Sequence, residues 1–285
     1  MKPMIKSRNI LILSLITLVA SSCTERIDIK LNDSDKRLVV DGAITTDTMV
    51  QRIRLTESAN YFSNEAPPAV TEATVYLDNG SEKLLLAENP AGSGVYQTPE
   101  AYAGQKGTTY TLEIGLKDKI GGKDQFVANS MMPETAFSID SISLEYQAVW
   151  DFWFVKLYAY DPPTKDFYRI DALRNGVMLT DTASRVQVTE DRFFNGNNTN
   201  GLSVLFLYAD EVHPGDTITL ILSAITEEYF NFFIQLQTES GGSNPLFSGP
   251  PANVVSNVKE GGLGFFNTLS SKRSQLVVRP EFFKN

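Results

Sequence analysis

The stretch ATVYLDNGSEKLLL, residues 73–86, sets Asn79-Gly80 between two runs of strand-forming residues. Both residues tolerate positive φ, so the pair predicts a chain reversal and the flanking runs an antiparallel hairpin. The same texture continues on either side. RLVVDGAIT (37–45) and QRIRLTE (51–57) precede it; GVYQTP (94–99), TTYTLEIGL (108–116) and QFVANSMM (125–132) follow. Short runs rich in Val, Ile, Leu, Thr and Tyr, separated by turn residues roughly every 8–12 positions, predict an immunoglobulin-like antiparallel β-sandwich over residues 37–133.

Pro133 and the polar residues near it mark a boundary, beyond which residues 134–285 read as a second β-rich domain. Its strand candidates are FSIDSISLEYQ (137–147), WDFWFVKLYAY (150–160), FYRIDALRNGVML (167–179), LSVLFLYA (202–209) and DTITLILSAI (216–225). One amphipathic helix is expected over TEEYFNFFIQLQTES (226–240). Thr226 suits the N-cap, Glu227 and Glu228 suit the positively polarised first turn, and Ile225, Tyr229, Phe232, Phe233 and Leu236 recur at helical spacing. Gly241-Gly242 ends it and opens an irregular segment over 241–262 rich in Pro, Gly and Asn. GLGFFNTL (262–269) and SQLVVRP (274–280) close the chain as two further strand pieces, the second expected at a sheet edge.

The first 36 residues have a different character. Lys2, Lys6 and Arg8 precede an apolar run from Ile10 to Ala20, then small residues, then Cys23, the only cysteine in 285 residues. A positive start, a short apolar run and small residues describe a secretory signal peptide over 1–22, too short for the ~20 apolar residues of a membrane span. With Ala20, Ser21 and Ser22 leading into it, Cys23 resembles the acylated cysteine of a bacterial lipobox. That resemblance implies cleavage before Cys23 and a membrane anchor through more than one fatty chain, which makes attachment lasting. Residues 23–36, mostly polar, then read as a tether. With no other cysteine, the body outside the cytoplasm relies on packing and not on cross-links.

The formal net charge is −9, and loss of residues 1–22 removes three basic residues and no acid. An acidic body repels phosphate backbones, so nucleic acid is excluded as a partner. With 42% hydrophobic and 11% aromatic residues, the chain has enough apolar material to fold as a globular body.

LVVDGAIT near the mature start, GVYQTPEAYAGQKGTTYTLEI, the late GDTITLILSAITEEYFNFFIQL and the closing NPLFSGPPANVVSNVKEGGLGFF together resemble the DUF4249 family of Bacteroidota lipoproteins over nearly the whole mature chain. The resemblance implies a cell-envelope lipoprotein, often encoded beside TonB-dependent outer-membrane receptors, and so a partner in nutrient capture. It supplies no catalytic residues.

The residues themselves offer several candidates. WDFWFVKLYAY puts Trp150 on one face of a strand with Phe152, Phe154, Tyr158 and Tyr160, and Trp153 on the other; it reads as a central core strand or as an aromatic platform for glycan or peptide. In DRFFNGNNTNG (191–201), Phe193 and Phe194 stand beside a polar tip with Asn197 and Asn198, a ligand-gripping loop or a hairpin tip. In PPANVVSNVKEGGLGFF, Asn253, Asn257 and Phe265 are candidate partner contacts, though both Asn side chains also suit pinning of the local backbone. His213, the only histidine, lies among Asp210, Glu211 and Asp216, but a Pro-Gly turn explains the segment better than a zinc site lacking other His or Cys ligands. Asp151, Asp161, Asp166, Asp171, Asp181 and Asp191 could supply a hydrolytic carboxylate pair, yet nothing in the sequence says which would meet, and a charged surface accounts for them. No G-x-S-x-G motif occurs. The expectation is therefore a non-catalytic, outer-membrane-anchored binding protein that needs no cofactor or metal. A surface hydrolase is the first alternative, an adhesin or structural envelope protein the second.

Overall fold

The computed structural model describes residues 36–59, 65–240 and 254–283, all within one compact unit, Asp35–Asn285. The signal peptide, Cys23, nearly all of the tether, Asn253 and residues 241–252 of the irregular segment lie outside the described residues.

The body is mainly β. Its first half contains β1 (Leu38–Thr45), β2 (Arg52–Glu57), β3 (Thr74–Asp78), β4 (Lys83–Glu88), β5 (Val95–Gln97), β6 (Thr109–Ile120) and β7 (Lys123–Met131). β1, β2 and β5 pair side by side; β3 pairs with β4 and β6, and β6 with β7. β4 links the two layers, pairing with β3 along most of its length and with β5 through Ala87 and Glu88. Alternate residues of each layer point inward: Leu38, Val40, Ile53 and Leu55 from one meet Val75, Leu77, Leu112, Ile114 and Phe126 from the other in one continuous core. That alternation is what a half-buried strand requires, and the result is a β-sandwich.

The second half contributes β8 (Ser138–Gln147), β9 (Phe152–Tyr160), β10 (Phe167–Arg174), β11 (Val177–Met178), β12 (Gln187–Glu190), β13 (Leu202–Tyr208), β14 (Thr217–Ile225), a helix α1 (Glu227–Ser240) and β15 (Leu263–Val277). β8, β9 and β13 form a three-stranded sheet with β9 in the middle. Its Trp153, Val155, Leu157 and Leu207 pack against Tyr168, Ile170, Leu220 and Leu222 of β10 and β14 in a second core.

The final strand departs from expectation. The two predicted pieces are one strand, β15, whose halves pair with different strands and join both halves of the chain in one continuous sheet. Leu263–Leu269 runs parallel to β1, from Val39↔Leu263 to Thr45↔Leu269, whereas Ser270–Val277 runs antiparallel to β14. The expected boundary at 133 therefore separates two cores but not two self-contained segments: Val258 and Phe266, from the far end of the chain, complete the first core. The closing parallel pair also means that the first sandwich is not wholly antiparallel.

Two turns refine the hairpin expectation. At 79–80 the hairpin forms, but Gly80 alone has positive φ (82°), and the loop is held by Asn79 Oδ1 accepting the Ser81 and Glu82 amides at 2.9 and 2.8 Å. Asn175-Gly176 is the two-residue reversal, both φ values positive (52° and 81°), between the paired Arg174 and Val177.

α1 begins as its sequence predicts: Thr226 Oγ1 accepts the Tyr229 amide at 3.2 Å. Tyr229 and Phe233 are buried against Phe167, Ile225, Phe265 and Leu269, so the helix covers the side of β10, β14 and β15 that faces away from the second core. Burial of each such ring stabilises by about 1.5–3 kcal/mol. Under the helix, Arg169 forms a fork with Asp171 (2.8 and 3.0 Å) and donates to Tyr229 Oη at 2.6 Å, so these three side chains satisfy one another.

Candidate functional site

β9 alternates strictly. Trp153, Val155, Leu157 and Ala159 are buried, while Phe152, Phe154 and Lys156 are half-buried and Tyr158 and Tyr160 exposed on the opposite side. No helix packs on that opposite side among the described residues, in contrast to β10 and β14. The central-strand reading of WDFWFVKLYAY thus holds for pairing but not for burial, because one aromatic face is left to solvent. Trp150, 63% exposed, lies in the turn before β9 and stacks on Phe152 (centroids 5.7 Å apart, planes 11° apart). Phe152 meets Phe154 at 5.0 Å and Phe206 of β13 at 5.5 Å; Phe206 meets Tyr208 at 6.0 Å. The rings are spaced by the two-residue repeat of the strand and form a continuous aromatic row.

Charged groups border the row. Lys156 pairs with Glu145 of β8. Arg185 lies 4.7 Å over the Tyr208 ring and makes a two-pronged contact with Glu211 at 2.8 and 2.7 Å. Burial, the largest single influence, works to raise the Glu211 carboxyl, but the Arg185 contact, the Tyr208 amide and the Arg174 charge together hold Glu211 below its ordinary range.

At the far end of β9, Tyr160 bridges to Asn198 in the 191–201 loop, and Thr199 Oγ1 donates to Leu157 O at 2.5 Å. Phe193 at the loop tip is 92% exposed, whereas Phe194 turns inward onto the second core beside Tyr168. Asn197 is exposed and secures the loop, its Nδ2 donating to Asn195 O and its carbonyl accepting the Asp161 amide.

Beneath the loop lies a feature that no sequence pattern signalled. Asp161 directly follows β9, Asp166 directly precedes β10 and Asp191 directly follows β12. One carboxylate oxygen from each lies within 4.8 Å of the others, and all three residues are buried. Asp166 accepts from Thr135 and Thr164 hydroxyls at 2.7 and 2.6 Å, Asp191 accepts the Asp166 amide at 2.9 Å, and Asp161 Oδ1 accepts from Tyr168 Oη. Asp161 Oδ2 is buried without a hydrogen-bond partner among the described residues. Burial, opposed by the Tyr168 bond and reinforced by the charges of Asp191 and Asp166, pushes the Asp161 carboxyl up to about 6. Burial raises Asp191 as well. These acids, together with the Asp171 that binds Arg169, are not the solvated surface charges expected of them.

With the geometry in place, the comparison with known families is direct. A family model described as "Domain of unknown function (DUF4249)" matches residues 24–275. The chain belongs to the DUF4249 family. No functionally curated protein matches it.

The remaining candidates of this DUF4249 chain fall outside the aromatic face. Trp153, 2% exposed, is a core residue against Tyr146 and Phe283, so it is not placed to meet a ligand. Phe265 is likewise buried, against Tyr229 and Phe232. Asn257 is spent on its surroundings: its Nδ2 donates to Asn129 O and Phe266 O at 2.9 and 2.7 Å, and its Oδ1 accepts the Phe266 amide at 3.0 Å. Asn257 and Phe265 nevertheless line an open groove of about 850 Å³, together with Ser130, Thr135, Asp166 and Glu228. His213 occupies an exposed turn, where its amide donates to Asp216 Oδ2 at 2.9 Å. The Glu211 and Asp216 beside it are engaged by Arg185 and Asn175.

Proposed function

We infer that this DUF4249 protein is an envelope lipoprotein, anchored at the outer membrane through acylated Cys23, that binds glycan on the outer face of β8, β9 and β13 and hands it to a TonB-dependent receptor. The observation that carries the reading is the aromatic row of Trp150, Phe152, Phe154, Phe206 and Tyr208, exposed at Trp150 and Tyr208 and half-buried between them, on the face of the sheet opposite the second core. Exposed Trp and Tyr rings offer flat apolar area with polar edges. The C–H face of a pyranose suits such a ring, and its hydroxyls suit a charged border such as Lys156–Glu145. The acidic body favours neutral over anionic glycans.

The chain has two tryptophans, and Trp153 is shut in the core, so a fluorescence change on adding neutral oligosaccharides reports on Trp150. Saturable change in the wild type and its loss in Trp150→Ala support glycan capture; no response across a panel of neutral oligosaccharides removes it. Recovery of a TonB-dependent receptor by pull-down from solubilised membranes tests the second half. One observation favours a hydrolase as the second reading: Glu134, Asp166, Glu227 and Glu228 all line the open groove. Release of new reducing ends from the same oligosaccharides would favour it.

A further inference from the structure

We propose that Asp161, Asp166 and Asp191 bind a calcium ion that fixes the 191–201 loop beside the aromatic face. Two oxygens that ligate one Ca²⁺ at about 2.4 Å each lie no more than about 4.8 Å apart, within the 2.3–2.6 Å range of Ca–O bonds. The three aspartates meet that condition together. All the donors are oxygens, with no His or Cys among them, as a hard cation prefers and zinc does not.

The second observation is the orphaned oxygen. Asp161 is 3% exposed, and its Oδ2 has no hydrogen-bond partner among the described residues. A buried carboxylate oxygen left unpaired is costly, and a buried charge is tolerated when it is paired or holds a metal. Among the described residues no basic side chain pairs with the three carboxylates; nearby Lys165 pairs with Glu227 and Arg192 with Glu190. The hydroxyls of Thr135, Thr164 and Tyr168 and the Asp166 amide hold the carboxylates in place, as outer partners do around a metal, but bring no positive charge.

The ion would join three strand ends. Asp161 follows β9, Asp166 precedes β10 and Asp191 starts the loop; their backbones are already tied, with the Asp161 amide donating to Asn197 O and the Asp191 amide to Asp166 O, both at 3.1 Å. Binding would set the position of Phe193 and Asn198 relative to Tyr160. This inference does not depend on what the aromatic face holds.

The test uses the full chain in detergent, stripped with EGTA and titrated separately with CaCl₂, MgCl₂ and TbCl₃. Saturating Ca²⁺ is expected to raise Tm by about 5–10 °C. Tb³⁺ is expected to show Tyr-sensitised emission that Ca²⁺ displaces. Asp161→Asn, which keeps the shape and removes a charge, is expected to melt at or above the wild type in EGTA and to lose at least tenfold in Ca²⁺ affinity. That reversal of order distinguishes a metal site from a cluster that merely shares protons. No Tm shift and no Tb³⁺ emission in the wild type overturns the proposal, as does an unchanged Ca²⁺ response in Asp161→Asn. A shift with Mg²⁺ but not Ca²⁺ overturns the assignment to calcium.

Discussion

Trp150 and Trp153 stand three residues apart and end on opposite sides of the β8–β9–β13 sheet, Trp150 63% exposed on the aromatic face and Trp153 2% exposed in the second core. Two substitutions of the same chemistry should therefore separate binding from stability. Trp153→Ala is expected to cost about 3–5 kcal/mol, by lost transfer energy and the cavity left behind. Trp150→Ala is expected to stay within about 0.5–1 kcal/mol of the wild type. Urea denaturation of both, followed by tyrosine circular dichroism, checks the pair.

Gly264 has φ +78°, and a Cβ there would stand 2.0 Å from Val40 O in the facing strand β1. Gly264→Ala must strain the backbone and push β15 from β1, so a loss of about 3 kcal/mol or more is expected. Gly80 has a similar φ of +82° with open space around it, and Gly80→Ala should cost only about 1 kcal/mol. Comparison of their urea midpoints isolates the cost of close strand approach from that of φ.

Asn257 joins the segment before β15 to β7 and to β15 itself through three backbone bonds. Removing them in Asn257→Ala is expected to cost about 2–3 kcal/mol, since the backbone groups of Asn129 and Phe266 lose partners. Faster hydrogen exchange at the Phe266 amide, with β9 amides unchanged, would localise the effect.

The Arg185–Glu211 pair contributes on one side of its titration only. Glu211 is held below its ordinary value of 4.5 in the folded chain, so its contribution is complete above that value and is lost as pH falls through the lower, folded one. Glu211→Gln should be about 1 kcal/mol less stable at neutral pH, the pair being partly solvent-screened. The gap between wild type and variant should close as pH is lowered below 4.5. Parallel Tm curves with a constant gap down to pH 3 would count against this role.

Much of the fold was legible along the chain because strand alternation and helix periodicity are local. β1, β2, β9, β14 and α1 sit where their apolar patterns put them. The hairpin mechanism was legible as chemistry but not as place: the two positive φ values fell at Asn175-Gly176, whereas at 79–80 the Asn79 side chain closed the loop. β15 looked like two pieces because polar Ser270, Ser271 and Lys272 interrupt its apolar run at the point where its partner changes from β1 to β14.

By itself, then, the sequence determined the strands, the helix and its cap, the acidic charge and the family, since each is a property of neighbouring residues or of the whole composition. Tertiary structure decided which apolar face stayed bare and which acids met. Trp150 and Trp153 carry the same pattern in sequence, and only the packing of β10 and β14 against one side of β9 tells them apart. Asp161, Asp166 and Asp191 converge because three strands end at the same edge of a sandwich, and strand ends are brought together by pairing between distant segments, which no local periodicity records.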